Sequence, residues 1–281
     1  MFQQWKQKLI NAYLSDEEKS KVERSFKHLA STGYDPWGVS PETVKASLAS
    51  TIWLYKHYFR VVTHGISNIP EGRCLLVSNH SGQIPIDGML IATSLLLEHE
   101  PPRLARGMVE RWAPSLPFIS TFFTQNGQIT GDSHNAKNLL ERDECVMVFP
   151  EGVNGLGKSI LHRYELQRFG TGFLRLAMET NTPIIPIAVI GCEEMLPSIS
   201  KLTGIAKKIG VPYLPVLPIG PFPLPTKVTI RFGKPLHFSG TNDETDAEVY
   251  TKVEIVKNAI RAEIEIGLAA RGERIFTGKG L

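Results

Sequence analysis

The sequence predicts an α/β fold, in which a mostly parallel or mixed sheet is covered by helices on both faces and preceded by N-terminal helices. Short segments that are apolar throughout alternate with longer helical stretches, and the segments are CLLVS at 74–78, CVMVF at 145–149 and PIIPIAVI at 183–190. Strands with this pattern are typical of a parallel sheet that is buried on both faces. In such a sheet, functional residues collect at the carboxyl ends of the strands.

Residues 1–60 form a predicted helical segment in front of a larger domain over 61–281. The first helix carries apolar residues at helical spacing, namely Phe2, Trp5, Leu9 and Tyr13. One interpretation is that this face packs on the larger domain. The other is that it contacts a membrane surface, mainly through Phe2, Trp5 and Leu9.

Capping and proline signals predict two further helices in the N-terminal segment. Ser15 and Glu18 have the spacing of a capping box, and the helix after them carries Val22, Phe26 and Leu29. Pro41 lies at the first position of the next helix. The apolar face of that helix consists of Val44, Leu48, Ile52, Tyr55 and Phe59.

The other predicted elements complete the alternation. Helices are expected over 86–98 and 166–180, and KVTIRF at 227–232 is a fourth strand. A closing helix over 242–271 has a packing face made of Val249, Val253, Val256, Ile260 and Ile264. The segment 211–225 contains six prolines and cannot be a regular helix. It is interpreted either as a rigid crossover or as an apolar lip that contacts lipid.

Composition narrows the classes of protein to which the chain can belong. The formal net charge of +3 gives no electrostatic footprint for nucleic acid. The three cysteines lie in or beside apolar runs without CxxC spacing, as expected for small buried side chains in a reducing compartment. The chain contains no uninterrupted apolar run of about 18 residues, so no membrane-spanning helix is predicted. The N-terminus also lacks the features of a signal peptide. We therefore expect a cytoplasmic protein.

A histidine and an aspartate mark the end of the first apolar strand. In LLVSNHSGQIPIDGML, at 75–90, His80 follows the strand and Asp87 begins the next predicted helix. If the loop folds back, Asp87 orients one imidazole nitrogen and leaves the other as a proton acceptor. Such a pair predicts general-base chemistry in which a hydroxyl of the substrate is the nucleophile. A purely structural pair is the alternative.

A second strand end carries Glu151 and Gly152, in VMVFPEGVNG at 146–155. Pro150 ends the hydrogen-bonded ladder of the strand, and Gly152 permits a close approach of the backbone to a ligand. Pro186, inside the next apolar strand, indicates an edge strand, a bulge or a bend. The alternative is a strand of the core, which is the role expected for this segment.

Taken together and in this order, these segments resemble the glycerolipid acyltransferase family, which includes the bacterial lysophosphatidate acyltransferases. NHSGQIPID resembles the family's first block, NGQITGDS at 126–133 the second, VFPEG the third and PIIPIAV the fourth. The resemblance extends over about 60–235 and makes 61–281 the catalytic domain. It implies an O-acyltransferase of lipid metabolism, with His80 and Asp87 as the catalytic pair. The candidate substrate-binding residues are Asn79, Ser81, Gly82, Gly127, Glu151, Gly152, Arg163 and Arg168.

The resemblance also implies the partners of the protein. The donor is acyl-CoA or acyl carrier protein, as a co-substrate without any further cofactor or metal, and the acceptor is a lipid hydroxyl at a membrane surface. Peripheral membrane association is expected through the first helix and the segment 211–225. Asn79, Ser81 and Gly82 are candidate donors to the oxyanion.

The chain departs from the family pattern at three places. Six residues rather than four separate His80 from Asp87, Ser133 stands where the second block has arginine, and Val153 and Asn154 stand where the third block has threonine and arginine. If Arg163 and Arg168 reach the cleft, the acceptor is a lysophospholipid or another anionic lipid. If they do not, it is an uncharged alcohol such as a partial glyceride. The closeness of the two arginines to the third block favours the first version.

Three other interpretations are considered. The first is an inactive lipid-binding protein on the same fold, which the altered His80–Asp87 spacing keeps open. The second is a metal hydrolase using His80, Asp87, Glu151 and His162, which no paired-ligand spacing supports. The third, a serine hydrolase through Ser81, fails because the chain has no GxSxG motif at that serine.

Overall fold

The computed structural model describes residues 2–26, 29–110, 119–208, 213–240 and 244–271. The helices within these ranges are α1 Phe2–Tyr13, α2 Asp16–Arg24, α3 Pro41–Trp53, α4 Ile86–Leu97, α5 Ile119–Gln125, α6 Ser133–Glu141, α7 Val153–Leu156, α8 Gly172–Glu179, α9 Thr203–Lys208 and α10 Asp246–Arg271. The strands are β1 Val62–His64, β2 Cys74–Ser78, β3 Ala105–Val109, β4 Ile129–Thr130, β5 Cys145–Val148, β6 Ile184–Ile190, β7 Ser200–Leu202, β8 Leu214–Val216 and β9 Thr229–Phe232.

The described strands form a central sheet in the order β1-β9-β6-β2-β5-β3-β4 and a separate hairpin of β7 and β8. Every pairing in the central sheet is parallel except that of β6 with β9. The mixed, mostly parallel sheet predicted from the sequence is therefore confirmed.

Two hydrophobic clusters cover the two faces of the sheet, since alternate side chains of a strand point to opposite faces. Leu76 of β2 belongs to a cluster with the N-terminal helices and α4. Leu75, next to it, belongs to a cluster with α6, α8 and α10. The N-terminal helices thus share a core with the sheet, and the two-sided helical cover is confirmed.

The first helix packs differently from the predicted face. Ile10 and Leu14 are buried and Leu9 is partly buried against the core, whereas Trp5 and Tyr13 are exposed. The side chain of Phe2 lies outside the described residues. For α3 and the π-helical turn that continues it over 54–58, the predicted apolar face is buried throughout, and the capping box of α2 is present.

Two predicted helices begin later than expected. In place of a helix over 166–180, α8 covers Gly172–Glu179, because backbone N–H groups before it are hydrogen-bonded elsewhere. The Gln167 N–H donates to Glu151 and the Gly170 N–H donates to the carbonyl of Pro150. The closing helix α10 starts at Asp246, residues 241–243 lie outside the described part, and its predicted face is buried.

Pro186 lies in an interior strand, so the edge-strand interpretation is wrong. Its strand β6 pairs with β2 on one side and with β9 on the other. The antiparallel ladder is interrupted at Pro186, between the bridge of Ile184 with Leu236 and the pairing of Ile187 with Phe232. Since proline cannot donate a ladder hydrogen bond, the interruption falls where the N–H is missing.

Strand β3 was not predicted, because it contains a buried arginine. Arg106 pairs with Asp35 at 2.5 Å and with Glu144 at 3.2 Å, and its guanidinium lies over the ring of Trp37. Asp35 also accepts hydrogen bonds from the N–H groups of Trp37 and Val39. The ion pairs fasten the loop before α3 to β3 and compensate the burial of the charge.

We predict that Arg106→Ala lowers the free energy of unfolding by about 3–5 kcal/mol, because it leaves two carboxylates in a buried place without a counter-ion. Arg142, an exposed arginine, also lies over the Trp37 ring and provides a matched control. Arg142→Ala should cost less than about 1 kcal/mol. Urea unfolding of the two variants measures both values, and equal losses would contradict the role given to the buried ion pairs.

Candidate active site

His80 and Asp87 meet at the carboxyl end of β2 despite their longer spacing. The imidazole Nδ1 lies 2.8 Å from Asp87 Oδ2. His80 is almost completely buried, and Asp87 is fully buried. Since an ionised carboxylate only accepts hydrogen bonds, Nδ1 carries the proton in this contact. The other ring nitrogen, Nε2, has no hydrogen-bond partner among the described residues.

Asp87 is held by backbone donors as well as by the imidazole. Its Oδ2 accepts from the N–H of Ser81, and its Oδ1 accepts from the N–H of Gly88, both at 2.8 Å. It lies in the first turn of α4, where the helix dipole favours a negative charge. The carboxylate is therefore fixed in position before any substrate binds.

The loop between His80 and Asp87 is buried in its first half and exposed at Ile84 and Pro85, and hydrogen bonds hold it to its surroundings. Gly82 has a φ of 95°, and a Cβ there would lie 2.8 Å from the carbonyl oxygen of Cys192, so glycine is required. Gln83 donates from its backbone N–H to Leu156 and from its side-chain Nε2 to the carbonyl of Lys158. These contacts hold the loop in place, so that Asp87 still meets His80 although the loop is two residues longer than in the family pattern.

The third block forms the wall beside His80. The ring of Phe149 is stacked on the imidazole, with 4.2 Å between centroids. Glu151 is buried, and its Oε1 accepts from the His80 backbone N–H at 3.0 Å while its Oε2 accepts from the Gln167 N–H at 2.7 Å. Glu151 therefore orients the main chain at His80.

A buried lysine supplies the counter-charge for this wall. Lys158 Nζ lies 3.6 Å from Glu151 Oε2 and 2.9 Å from Glu193 Oε1. Burial raises the pKa of the Glu193 carboxyl above its ordinary value, and the Lys158 ammonium opposes that shift. Lys158 thus joins the strand end of β5 to the loop after β6.

The same loop continues the ionic network to the closing helix. Glu194 pairs with Arg271 at 2.5 Å and accepts a hydrogen bond from the hydroxyl of Tyr164 at 2.7 Å. Burial, together with the charge of Glu194, raises the pKa of Tyr164, so its hydroxyl stays protonated. The end of α10 is thereby fastened to the segment that follows the third block.

The predicted oxyanion donors have distinct surroundings. Ser81 and Gly82 lie in the loop between His80 and Asp87, as described above. Asn79 is buried and directed to β6, where its amide exchanges two hydrogen bonds with the backbone of Val189, at 2.8 and 3.1 Å. Its role as an oxyanion donor remains a prediction. Its two hydrogen bonds connect the end of β2 to β6.

The predicted substrate-binding residues outside this loop are more widely spread. Gly152, the N-cap residue before α7, has a φ of 54°, and a Cβ there would lie 2.9 Å from the carboxylate of Glu110. Gly127 lies beside Arg106 at the β3–β4 edge. Arg163 is exposed and bonds to its own turn, and Arg168 bonds to the hydroxyl of Tyr250 on α10. Within the described part of the chain, neither arginine contacts His80, Asp87 or Glu151.

Sequence reasoning missed Phe149 and Gly155 as residues of this site, and it considered Lys158 only as a cation that a loop could bring over the cleft. A Cβ on Gly155 would lie 2.6 Å from the Cβ of Glu151 and 3.0 Å from that of His80. Its small size lets α7 approach both residues. Three glycines in the stretch 152–157 were a signal of close packing, whereas nothing in the sequence marked Lys158 as buried.

The metal-hydrolase interpretation has no support in the geometry. His162 is exposed and pairs with the exposed Glu165, away from the buried pair. The described part of the chain contains no cluster of three His, Cys, Asp or Glu side chains suited to a metal ion.

None of the described helices is long and apolar enough to cross a membrane. All three cysteines are buried as predicted.

Comparison with known proteins gives a consistent set of similarities. Residues 60–190 match the family model described as Acyltransferase. Uncharacterized proteins of Mycobacterium leprae and Mycobacterium tuberculosis are 33% identical to the chain over 257 residues, which covers 87% of this chain and 70% and 72% of theirs. The 1-acyl-sn-glycerol-3-phosphate acyltransferase alpha of Ovis aries is 28% identical over 144 residues, covering 48% of this chain and 46% of that protein.

A solved structure supports the fold. The crystal structure of the 1-acyl-sn-glycerophosphate acyltransferase PlsC from Thermotoga maritima superposes with a TM-score of 0.52, covering 97% of this chain and 96% of that one. The sequence identity is 16%, so this similarity concerns the fold alone.

We predict that Gly155→Ala destabilises the protein by about 1–3 kcal/mol, because the added methyl group presses on His80 and Glu151. Gly172, the first residue of α8, has nothing within 4 Å of an added Cβ and is the matched control. Gly172→Ala should be neutral or stabilising by up to about 1 kcal/mol. Urea unfolding tests both, and a harmless Gly155→Ala would contradict the close packing of α7 on His80.

Proposed function

Because the chain belongs to the PlsC-like acyltransferase family, we propose that it transfers a fatty acyl group from an acyl thioester to a hydroxyl of a lipid acceptor. The donor is acyl-CoA or acyl carrier protein. The observation that carries the proposal is the buried His80–Asp87 contact of 2.8 Å at the end of a central strand. With Nδ1 protonated, Nε2 is the basic nitrogen of the pair.

The reaction follows from these two roles. Nε2 of His80 removes the proton of the acceptor hydroxyl while its oxygen attacks the thioester carbonyl carbon. The tetrahedral intermediate then loses the thiolate as the carbon–sulfur bond breaks. His80 returns its proton to the sulfur, so the products are an ester and a free thiol. Asp87 holds the imidazole in the required tautomer and stabilises the imidazolium.

Backbone N–H groups are the proposed donors to the negative oxygen of the intermediate. The small residues Ser81 and Gly82 lie in the loop that begins at His80, although the Ser81 N–H itself donates to Asp87. Glu151 acts through the main chain, since it bonds to the His80 N–H. We regard Glu151 as a positioning residue in this mechanism.

The altered spacing was the sequence argument for an inactive lipid-binding protein. In the folded loop the additional residues include Gln83, whose φ is 66°, and the exposed Ile84. Gln83 is buried and bonded to the carbonyl of Lys158, and the contact of His80 with Asp87 is still 2.8 Å long. The geometry therefore favours an enzyme over a protein that only binds lipid.

The surroundings of the basic residues favour an acceptor without a phosphate near the reacting hydroxyl. Arg168 is held on Tyr250, with its guanidinium 5.3 Å from the ring centroid. Lys158 is engaged by two buried glutamates. The sequence favoured a lysophospholipid on the assumption that these arginines reach the cleft. Their contacts support the second version, in which a partial glyceride or another uncharged alcohol is acylated.

We predict that His80→Ala lowers the rate of acyl transfer at least about 10²-fold, as expected for the loss of a general base. The assay measures ester formation from labelled acyl-CoA with a panel of hydroxyl acceptors. His237→Ala, which alters an exposed histidine of the same domain, should retain the wild-type rate. A folded His80→Ala variant with near-normal turnover would rule out the mechanism.

We predict that neither Arg163→Ala nor Arg168→Ala changes the acylation of a monoacylglycerol by more than about twofold, because both side chains are engaged away from the pair. A lysophosphatidate assayed side by side should be the poorer acceptor for every variant. Selective loss of activity on the lysophosphatidate in either variant would instead assign that arginine to phosphate binding.

A further inference from the structure

A cavity of about 780 Å³ lies at the opposite end of α4 from the catalytic pair. It is lined by residues of α1, α2, α3 and the π-helical turn after α3, and by Leu97 and Glu98 at the end of α4. Asp87 lies in the first turn of the same helix. At 1.5 Å per residue, about 16 Å of helix separates Asp87 from Glu98. The cavity is therefore distinct from the catalytic site.

Glu98 is an exposed carboxylate of this cavity that is held by neutral donors. Its Oε1 accepts a hydrogen bond from the hydroxyl of the buried Tyr55 at 2.5 Å, and its Oε2 accepts one from the hydroxyl of Thr63. Burial, together with the charge of Glu98, raises the pKa of Tyr55, so its hydroxyl stays protonated and remains a donor. Among the residues that the structure describes, Glu98 forms no ion pair. Its orientation is fixed, but its negative charge is not compensated.

The two lysines of the cavity wall are paired with other glutamates. Lys56 Nζ lies 2.7 Å from Glu18 Oε1, and Lys21 Nζ lies 3.3 Å from Glu17 Oε1. With three glutamates, two lysines and a neutral histidine, the lining has a formal charge of −1. The charge that remains after pairing is that of Glu98.

The end of α4 adds to the negative potential of the cavity. This helix of 12 residues has no basic residue in its last turn, and Glu98 is its C-cap residue. The last carbonyl groups of a helix carry a partial negative charge and attract cations. Lys21 already donates to one of them, the carbonyl of Leu97, at 2.7 Å. An ammonium group is therefore accommodated at this helix end, beside the carboxylate that has none.

Two exposed aromatic rings line the same cavity. Trp53 and Tyr13 are 52% and 56% exposed. The ring of Trp53 packs on those of His57 and Tyr58, with 6.5 and 5.8 Å between centroids, so its position is defined. The faces of tryptophan and tyrosine rings attract cations. Carboxylate and aromatic rings together favour a positively charged ligand.

The π-helical turn over 54–58 places several of these side chains. It buries Tyr55, whose hydroxyl fixes Glu98, while Lys56 and His57 line the cavity. Turns of this kind are rare and are frequent at functional sites. The turn therefore marks this end of the N-terminal segment as more than a packing surface.

We propose that this cavity binds a small organic ammonium ion. The positive charge lies beside Glu98 and against the aromatic rings, and the apolar part of the ligand contacts the aliphatic side chains of the lining. The volume is that of a site for a small molecule. The inference does not rest on acyl transfer, because none of the residues that carry it belongs to the catalytic site.

The test measures the binding of choline by isothermal titration calorimetry. The wild type should bind choline with a dissociation constant in the millimolar range. Dimethylbutanol, in which carbon replaces the charged nitrogen, should bind at least about tenfold more weakly, because it has the same shape without the charge. Its failure or success is independent of any enzymatic activity.

The variant Glu98→Gln removes the charge and keeps the shape of the side chain. It should bind choline at least about tenfold more weakly than the wild type, and its amide can still bond to Tyr55 and Thr63. The matched control is Glu100→Gln, which alters an exposed glutamate that is paired with Arg24 outside the cavity. This control should bind choline like the wild type.

The aromatic contribution is tested by Trp53→Leu, which also decides the proposal if Glu98→Gln does not fold. Choline binding should weaken at least about fivefold. Trp5→Leu alters another exposed tryptophan, which lies outside the cavity, and should leave binding unchanged. Thermal unfolding of each variant establishes that it is folded.

Three results would overturn the proposal. The first is a wild type that binds choline no better than dimethylbutanol, or not at all. The second is unchanged choline binding by folded Glu98→Gln. The third is tighter binding of an anion such as butanesulfonate than of choline, because Lys21 and Lys56 would then be the recognising groups. Ethanolamine binding as tightly as choline would overturn the part assigned to the aromatic rings.

Discussion

The parallel pairing of β2 with β5 and β6 is the constraint on which the rest of the structure depends. Leu76 of β2 is in register with Met147 of β5 and with Ile185 of β6. The three strands therefore end at the same edge of the sheet, and the chain leaves them within reach of one another. Histidine, glutamate and the loop after β6 meet there because strand direction, and not sequence proximity, brings them together.

Buried carboxylates then determine the shape of that edge. Asp87 and Glu151 each accept hydrogen bonds from backbone N–H groups of other segments. Such bonds are costly to leave unmade in a buried place, so each carboxylate selects one loop conformation. Lys158 provides the charge that makes the burial of Glu151 and Glu193 tolerable. The orientation of His80 therefore depends on the contacts of Asp87, Glu151 and Lys158 together.

The same network connects chemistry to the molecular surface. The loop that contains Gln83 is bonded to α7, to Tyr213 and to the carbonyl of Lys158. The loop therefore joins the buried His80–Asp87 pair to the exposed side chain of Ile84 at the molecular surface.

The local pattern of the fold could be predicted from neighbouring residues in the chain. The sequence predicted the alternating apolar strands, the capping of α2, the packing faces of α3 and α10, and the strand-end positions of His80 and Glu151, because periodicity and turn chemistry are properties of neighbouring residues. Tertiary structure alone decided the burial of Arg106 in β3, the contacts of Lys158 and the direction in which Arg168 points. Each of these depends on a counter-ion or aromatic partner more than 30 positions away along the chain, or on a loop whose path the pattern does not define.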